Sequence, residues 1–414
     1  MLWCGCASEG ARAYMELSGY HGRCMFSQRT DWKLTPNRFT AAQREVRASG
    51  REVLDLTVSN PTRAGLRYDS DAMLKALSNR EAMDYDPQPK GLASARAAVA
   101  AYYREQCQIE VGLESLILTT STSEGYAYVF RLLCNPKDEV LVPKPSYPLF
   151  EFLADLQDVT LTPYPLLYDH GWQIDFPSLA RAVNPRTRAL VVVHPNNPTG
   201  SYVSPEERRQ LNSFCRDRGL ALIVDEVFLD YPHDGVPRSS FISSQDILTF
   251  TLSGVSKISG LPQMKLAWIA ASGPEPAGTA AMDRLEIIAD TYLSMNAPIQ
   301  LAAAALLGER KNVQPQLLDR VRMNLAELDR QLAQQKPCRR LQVEGGWYAV
   351  LRVPVTRTDE DLVIDLLRQA SVLVHPGHFY DFPNDGYLVL SLLTLPDEFR
   401  AGASRVLETL NQGQ

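Results

Sequence analysis

The sequence predicts a doubly wound α/β protein with a mainly parallel sheet, because short apolar runs rich in β-formers alternate with stretches of helical spacing. The runs are residues 116–119, 139–142, 159–162, 189–193, 220–224, 247–252 and 266–270, giving seven strands. They are near-continuous rather than alternating, the pattern of strands covered by helices on both faces. Between them, residues 91–107, 124–134, 147–157 and 204–218 carry apolar side chains at helical intervals. Ser204-Pro205-Glu206-Glu207 opens the last of these with an N-cap and a proline at the first helical position.

After residue 275 the pattern changes. Long helices over roughly 278–307 and 313–335 precede an α+β tail containing GGWYAVLRV and YLVLSLL, which predicts a second, smaller α+β domain. The division expected is 1–30 as a poorly ordered extension, 31–72 as an N-terminal segment joining the small domain, 73–305 as the large domain and 306–414 as the small one.

A chain of 414 residues exceeds what one core supports, which leaves room for a cleft between two compact units. Lys and Arg total 42 against 48 Asp and Glu, a net charge of −6 without long runs of one sign, so nucleic acid and anionic membrane are poor partners. No stretch has the eighteen or so apolar residues of a membrane span, and the start lacks a basic region followed by an apolar one. The seven scattered cysteines form no CxxC framework and fit a reducing cytoplasm. Cys4 and Cys6 lack companion ligands for a metal, Cys24 lies in the same aperiodic segment, and Met25 is an alternative start of translation.

Ligands of open α/β sheets sit outside the carboxyl ends of the strands. Lys257, in Thr251-Leu-Ser-Gly-Val-Ser-Lys257, stands there among small residues. Poor solvation lowers an ammonium pKa and leaves a neutral amine able to condense with an aldehyde. Alone, a lysine after a serine reads as a surface residue; its companions change that reading. Asp225 ends another apolar run, where a carboxylate can hold a pyridinium N–H or simply cap a helix. Asn196-Asn197-Pro198-Thr-Gly200 is a rigid loop able to aim an amide at a phenolate oxygen, although its parts are also ordinary turn chemistry. Ser121-Thr-Ser-Glu124 opens a helix: Ser121 and Glu124 make a capping box, and the first N–H groups with the Thr122 and Ser123 hydroxyls can cradle a phosphate.

In this order and spacing, Asp225-Glu226 after a strand, the NNPTG loop and Ser256-Lys257 resemble the fold-type-I, class I/II aminotransferases, with the likeness running from about residue 30 to 410. The resemblance implies pyridoxal 5′-phosphate as cofactor, Lys257 as the internal-aldimine lysine, Asp225 as the pyridine-nitrogen partner and Asn197 as the ring-oxygen partner. Ser121, Thr122 and Ser123 would hold the phosphate, and Tyr147 would stack on the ring. Tyr85 matches the tyrosine that reaches a neighbouring subunit's phosphate, which implies a homodimer. Lys265 stands where the family has a phosphate-binding arginine; it keeps the charge without the bidentate fork. Placed in a buried strand, an unpaired ammonium is costly, which favours a bound anion.

Two positions depart from the family. Phe228 replaces a tyrosine that donates to the ring oxygen, leaving Asn197 as the remaining partner of the two. Val389, in Tyr387-Leu-Val389-Leu-Ser391, replaces the arginine that grips the substrate α-carboxylate, so either another arginine does so or the substrate lacks that group. Arg63 and Arg352 are the candidates for substrate binding. The histidines, including His375 and His378, give no metal signature. The function expected is transamination between an amino acid and an oxo acid. A lyase, decarboxylase or synthase on the same scaffold is the alternative, followed by a non-catalytic regulatory module.

Overall fold

A computed structural model describes residues 25–32, 34–148, 150–233, 235–334 and 338–412. The chain divides into two units. In the first, Gln28–Thr30 forms a 3-10 turn whose cap, Ser27, accepts from the Arg29 N–H at 3.3 Å. Residues 1–24, with Cys4, Cys6, Cys24 and most of the expected extension, lie outside the described residues.

The second unit begins at Pro36 and carries all three sheets among the described residues. Its first strand, Leu54–Asp55 (β1), pairs in parallel with Val372–Leu373. All seven expected strands form, and an eighth joins them: Leu116–Thr119 (β2), Glu139–Lys144 (β3), Thr160–Tyr168 (β4), Trp172–Ile174 (β5), Thr187–Val193 (β6), Ala221–Asp225 (β7), Thr249–Gly254 (β8) and Ala267–Ser272 (β9). The addition, β5, folds back on β4 through a tight turn in which His170 takes a φ of 51°. Three residues are too few for periodicity to register, so the sequence count was one short.

Across the sheet the order is β2-β9-β8-β7-β6-β3-β4-β5. The five strands from β8 to β4 run parallel, and β9 is antiparallel to both its neighbours. Both faces are covered, which explains the unbroken apolar runs. Val191, Ile223, Phe250 and Ile269 pack with the helix Thr122–Leu133 and its neighbours on one side. Leu190, Val192, Leu222 and Val224 pack with the helix Pro205–Arg218 on the other. That helix starts with the full capping box of Ser204 and Glu207 and stops at Gly219, which adopts the left-handed φ of 63° that glycine tolerates without a Cβ clash.

The helix expected over 278–307 is broken. Ala277–Tyr292 ends where Leu293 turns left-handed, and Asn296 caps a new helix by accepting from the Ile299 N–H at 3.1 Å. A single helix, Arg310–Leu332, then leads to the C-terminal part. There Arg339–Arg340 (β10), Tyr348–Arg352 (β11), His375–Pro376 (β13) and Tyr387–Ser391 (β14) form an antiparallel sheet ordered β10-β11-β14-β13, with Val372–Leu373 as β12 beside β1. Helices Asp359–Ala370 and Pro396–Gln412 cover it. The Trp347 carbonyl accepts from the Leu392 N–H at 2.8 Å, which seats the turn before β11 against the end of β14.

Candidate active site

The carboxyl ends of β8, β7, β6 and β3 carry Lys257, Asp225, Asn197 and Tyr147, four positions singled out in the sequence. Lys257 sits in the short helix Val255–Ile258 immediately after β8. Its Nζ lies 5.0 Å from the centre of the Trp347 ring and 5.4 Å from that of Phe228. Burial brings the amine pKa down to about 8, against the opposing pull of the Asp225 charge. An appreciable neutral fraction near neutral pH follows, the state a nucleophilic amine requires.

Asp225 ends β7 at 9% exposure. Burial raises its pKa to about 6, although the Val227 N–H at 3.1 Å, the Tyr126 hydroxyl at 3.2 Å and the Lys257 charge all favour the carboxylate. Tyr126 lies one turn into the helix Thr122–Leu133, on the same side as Thr122, and its role was not read from the sequence.

Asn196 and Asn197 divide the work of their loop. Asn196 donates to the Pro145 carbonyl at 3.0 Å and to Thr199 Oγ1 at 2.8 Å, and accepts from Ser146 Oγ at 3.1 Å. Asn197 is also buried, yet its Oδ1 has no partner among the described residues. Tyr147 keeps 37% of its surface open, while burial of its hydroxyl and then the Asp225 charge raise the phenol pKa. A half-open tyrosine and an amide with an unpartnered oxygen thus follow neighbouring strands, β3 and β6.

At the start of the helix Thr122–Leu133, Ser121 Oγ accepts from the Glu124 N–H at 3.2 Å. The reciprocal half of the expected box differs: Glu124 Oε2 accepts from the Thr120 N–H at 2.7 Å and from Ser294 Oγ at 2.9 Å. The first helical N–H groups have no partner within a helix, and the Thr122 and Ser123 hydroxyls make no hydrogen bond among the described residues. These are donors suited to an anion. With the amine of Lys257, the carboxylate of Asp225 and the free amide of Asn197, the donor set fits pyridoxal 5′-phosphate.

Other expectations need correction. Lys265 is not in a buried strand: it is exposed, with a φ of 51°, at the end of the 3-10 turn Pro262–Met264, and β9 begins two residues later. The cost of a buried unpaired ammonium therefore gives no support to an anion there. Arg352 closes β11, whose other end adjoins Trp347; five residues of strand, about 16 Å, separate it from the aromatic that touches Lys257. Its guanidinium lies 4.3 Å from the Tyr387 ring centre and donates to the Asp385 carbonyl at 3.1 Å, contacts that brace the small sheet.

Arg63 is exposed at the end of the 3-10 turn Pro61–Arg63 and makes no ion pair among the described residues. Pro61 of that turn packs on Gly260, three residues after Lys257: a Cβ on Gly260 would lie 3.4 Å from Pro61 Cβ. Val389 is fully buried, paired in register with Val350 and His375. Tyr85 is 83% exposed and lines a cleft of about 250 Å³ with Leu118, Tyr128, Leu293 and Ser294; it makes no contact with Lys257. His375 Nδ1 is 3.0 Å from the Tyr380 hydroxyl, and no group of three or more potential metal-binding side chains occurs among the described residues.

The model of the family "Aminotransferase class I and II" matches residues 51–394. The glutamate-pyruvate aminotransferase AlaA of Haemophilus influenzae is 28% identical over 357 residues, which cover 84% of this chain and 87% of that protein. The alanine aminotransferase of Mycobacterium tuberculosis is 28% identical over 358 residues, 84% of this chain and 83% of its own. Among solved structures, the alanine aminotransferase from Pyrococcus furiosus superposes with a TM-score of 0.85 at 21% identity, covering 94% of this chain and all of that one.

Proposed function

The chain belongs to the class I and II aminotransferases, a family that depends on pyridoxal 5′-phosphate, and from that premise we propose that Lys257 is the residue that condenses with the cofactor's aldehyde. The protein is an aminotransferase, moving an amino group between an amino acid and an oxo acid. What carries the assignment to Lys257 is one observation: an amine brought down to about pKa 8 by burial, beside Asp225, at the carboxyl end of a central strand.

The bound cofactor supplies an electron sink for the carbanion. Asp225 would hold the pyridine nitrogen, the Asn197 amide N–H would donate to the ring oxygen, and Tyr147 would stack on the ring. Thr122, Ser123 and the helix N-terminus would hold the phosphate. With the cofactor bound, the Lys257 amine would be the base that takes the proton from the substrate α-carbon and returns it on the other side of the amino transfer. Trp347 and Phe228 keep water from that amine.

Arg63 is the group we assign to the substrate carboxylate, in place of the arginine that Val389 replaces. The pair in the AlaA name, glutamate and pyruvate, is the first donor and acceptor to test. We also infer a homodimer, in which a second copy covers the cleft lined by Tyr85 and Leu293; Met83, Ile287 and Tyr292 lie exposed near it in the chain. A cytoplasmic setting fits the free thiols of Cys107, Cys134, Cys215 and Cys338.

Borohydride reduction of the protein loaded with pyridoxal phosphate, followed by peptide mapping, tests the core assignment. The phosphopyridoxyl group is expected on Lys257, and Lys257→Ala is expected to abolish both label and amino transfer. A label on any other lysine would sink it.

A further inference from the structure

Three carbonyls of the segment that carries Lys257 are each held by a side chain from a different part of the fold. The Tyr231 hydroxyl donates to the Lys257 carbonyl at 2.5 Å, Gln314 Nε2 to the Ile258 carbonyl at 2.9 Å, and the Tyr68 hydroxyl to the Gly260 carbonyl at 2.8 Å. A four-residue helix leaves its last carbonyls without intrahelical partners, so outside donors decide how it sits.

Gln314 is the donor with the most elaborate support. Its Nε2 also donates to Asp230 Oδ2 at 2.8 Å, so both hydrogens of the carboxamide nitrogen are committed. Asp230 is buried at 2% exposure and also accepts from the Tyr102 hydroxyl at 3.1 Å and from Arg238 at 3.2 Å. A buried carboxylate fixed by three donors is a rigid anchor, and it fixes where the Gln314 carboxamide meets the Ile258 carbonyl. Gln314 belongs to the helix Arg310–Leu332, which also grips the N-terminal segment: Gln316 Nε2 donates to the Arg67 carbonyl at 2.8 Å and Arg320 to the Ala64 carbonyl at 3.0 Å.

We propose that Gln314, oriented by Asp230, is a positioning residue that holds the Ile258 carbonyl and so keeps the Lys257 amine against Phe228 and Trp347. It touches neither substrate nor cofactor and acts through the lysine-bearing segment alone. The proposal rests on the reading of Lys257 as the reactive amine, but its test does not. If the bond is removed, the segment gains freedom and the amine gains water, so the amine should return toward the ordinary lysine range.

The test uses the full chain without added cofactor. The pH dependence of Lys257 reductive methylation is followed by peptide mass spectrometry in wild type, Gln314→Met and Gln314→Glu. Methionine removes both donations at similar volume; glutamate sets a carboxylate against Asp230 and the Ile258 carbonyl. The midpoint is expected to rise by about one pH unit in whichever variant folds. In the loaded enzyme, kcat is expected to fall roughly tenfold, with the KM for the amino donor changed less than twofold. A lower melting temperature with an unmoved lysine midpoint would overturn the proposal, because Gln314 would then be structural only. A moved midpoint with no cofactor label on Lys257 would instead leave the positioning intact and remove the function assigned to the lysine.

Discussion

Tyr126 donates its hydroxyl to Asp225 Oδ2 at 3.2 Å, from the same helix whose first turn presents Thr122 and Ser123. One helix thereby carries both the donors proposed for the phosphate and, one turn on, the hydroxyl that steadies the carboxylate proposed for the pyridine nitrogen. Tyr126→Phe removes a bond that favours ionised Asp225, so the carboxyl pKa should rise further above 6. A hydrogen bond to a charged group is worth about 1.5 to 3 kcal/mol, which corresponds to roughly a tenfold or larger loss of cofactor affinity. Equilibrium titration with pyridoxal phosphate at pH 7 measures it; unchanged affinity would separate Tyr126 from the site.

The same buried carboxylate costs stability. A folded-state pKa of about 6, against roughly 3.9 when exposed, means that the folded protein binds more protons than the unfolded chain between those values. Stability from this group is therefore full below about pH 4 and declines as pH rises to about 6, by roughly 3 kcal/mol. Asp225→Asn removes the titration. Without cofactor, the variant should be more stable than wild type at pH 7.5, and the difference should close near pH 4. Urea melts at the two pH values check this, and equal stabilities at both would refute it. Amino transfer should fall by orders of magnitude, since an amide cannot hold the protonated pyridine as a carboxylate does.

Much of this site was legible because it lies where strands end. Asp225, Asn197 and Lys257 each follow an apolar run that the structure makes a central strand, and the change from apolar to polar marks the carboxyl end. Trp347, Tyr126 and Gln314 were not legible: they come from segments far away in sequence, and only the packing of those segments shows what they touch. The buried setting expected for Lys265 fails because the backbone turns left-handed there and the strand begins only at Ala267, which leaves the lysine in the exposed turn before it. Where Arg352 would lie was not legible for a different reason. Its strand was recognised, but which end faces the lysine depends on the pairing of β11 with β14.

Arg63 and Arg352 now make a matched pair of tests. Arg63→Ala should raise the KM for the amino donor about tenfold or more, the loss of one charge-assisted contact to a carboxylate, with kcat changed little. Arg352→Ala should leave both constants unchanged and lower stability by about 0.5 to 1 kcal/mol through its contact with Tyr387. Steady-state kinetics with glutamate and pyruvate would separate them. A KM that responds to Arg352 and ignores Arg63 would reverse the assignment.

Gly200 tests how the Asn197 loop depends on the C-terminal part. Its φ of 71° lies where side chains are strained, and a Cβ there would stand 2.3 Å from Val343 Cγ2 and 2.4 Å from the Gly345 carbonyl oxygen. Both distances are far inside contact, and the second neighbour is backbone, which cannot rotate away. Gly345 is held in turn: a Cβ on it would meet the Tyr231 carbonyl oxygen at 2.7 Å. Relief must therefore come from moving the 197–200 loop, and Asn197 with it, or the 345–347 turn, and Trp347 with it. Gly200→Ala is expected to lower stability by about 1 to 3 kcal/mol and to weaken pyridoxal phosphate binding. Gly219→Ala, also at positive φ but with open space around its Cβ, supplies the control for backbone strain alone. Thermal melts and cofactor titration of both variants decide the point: equal losses in the two would mean that strain, and not the contact between the loop and the turn, accounts for Gly200.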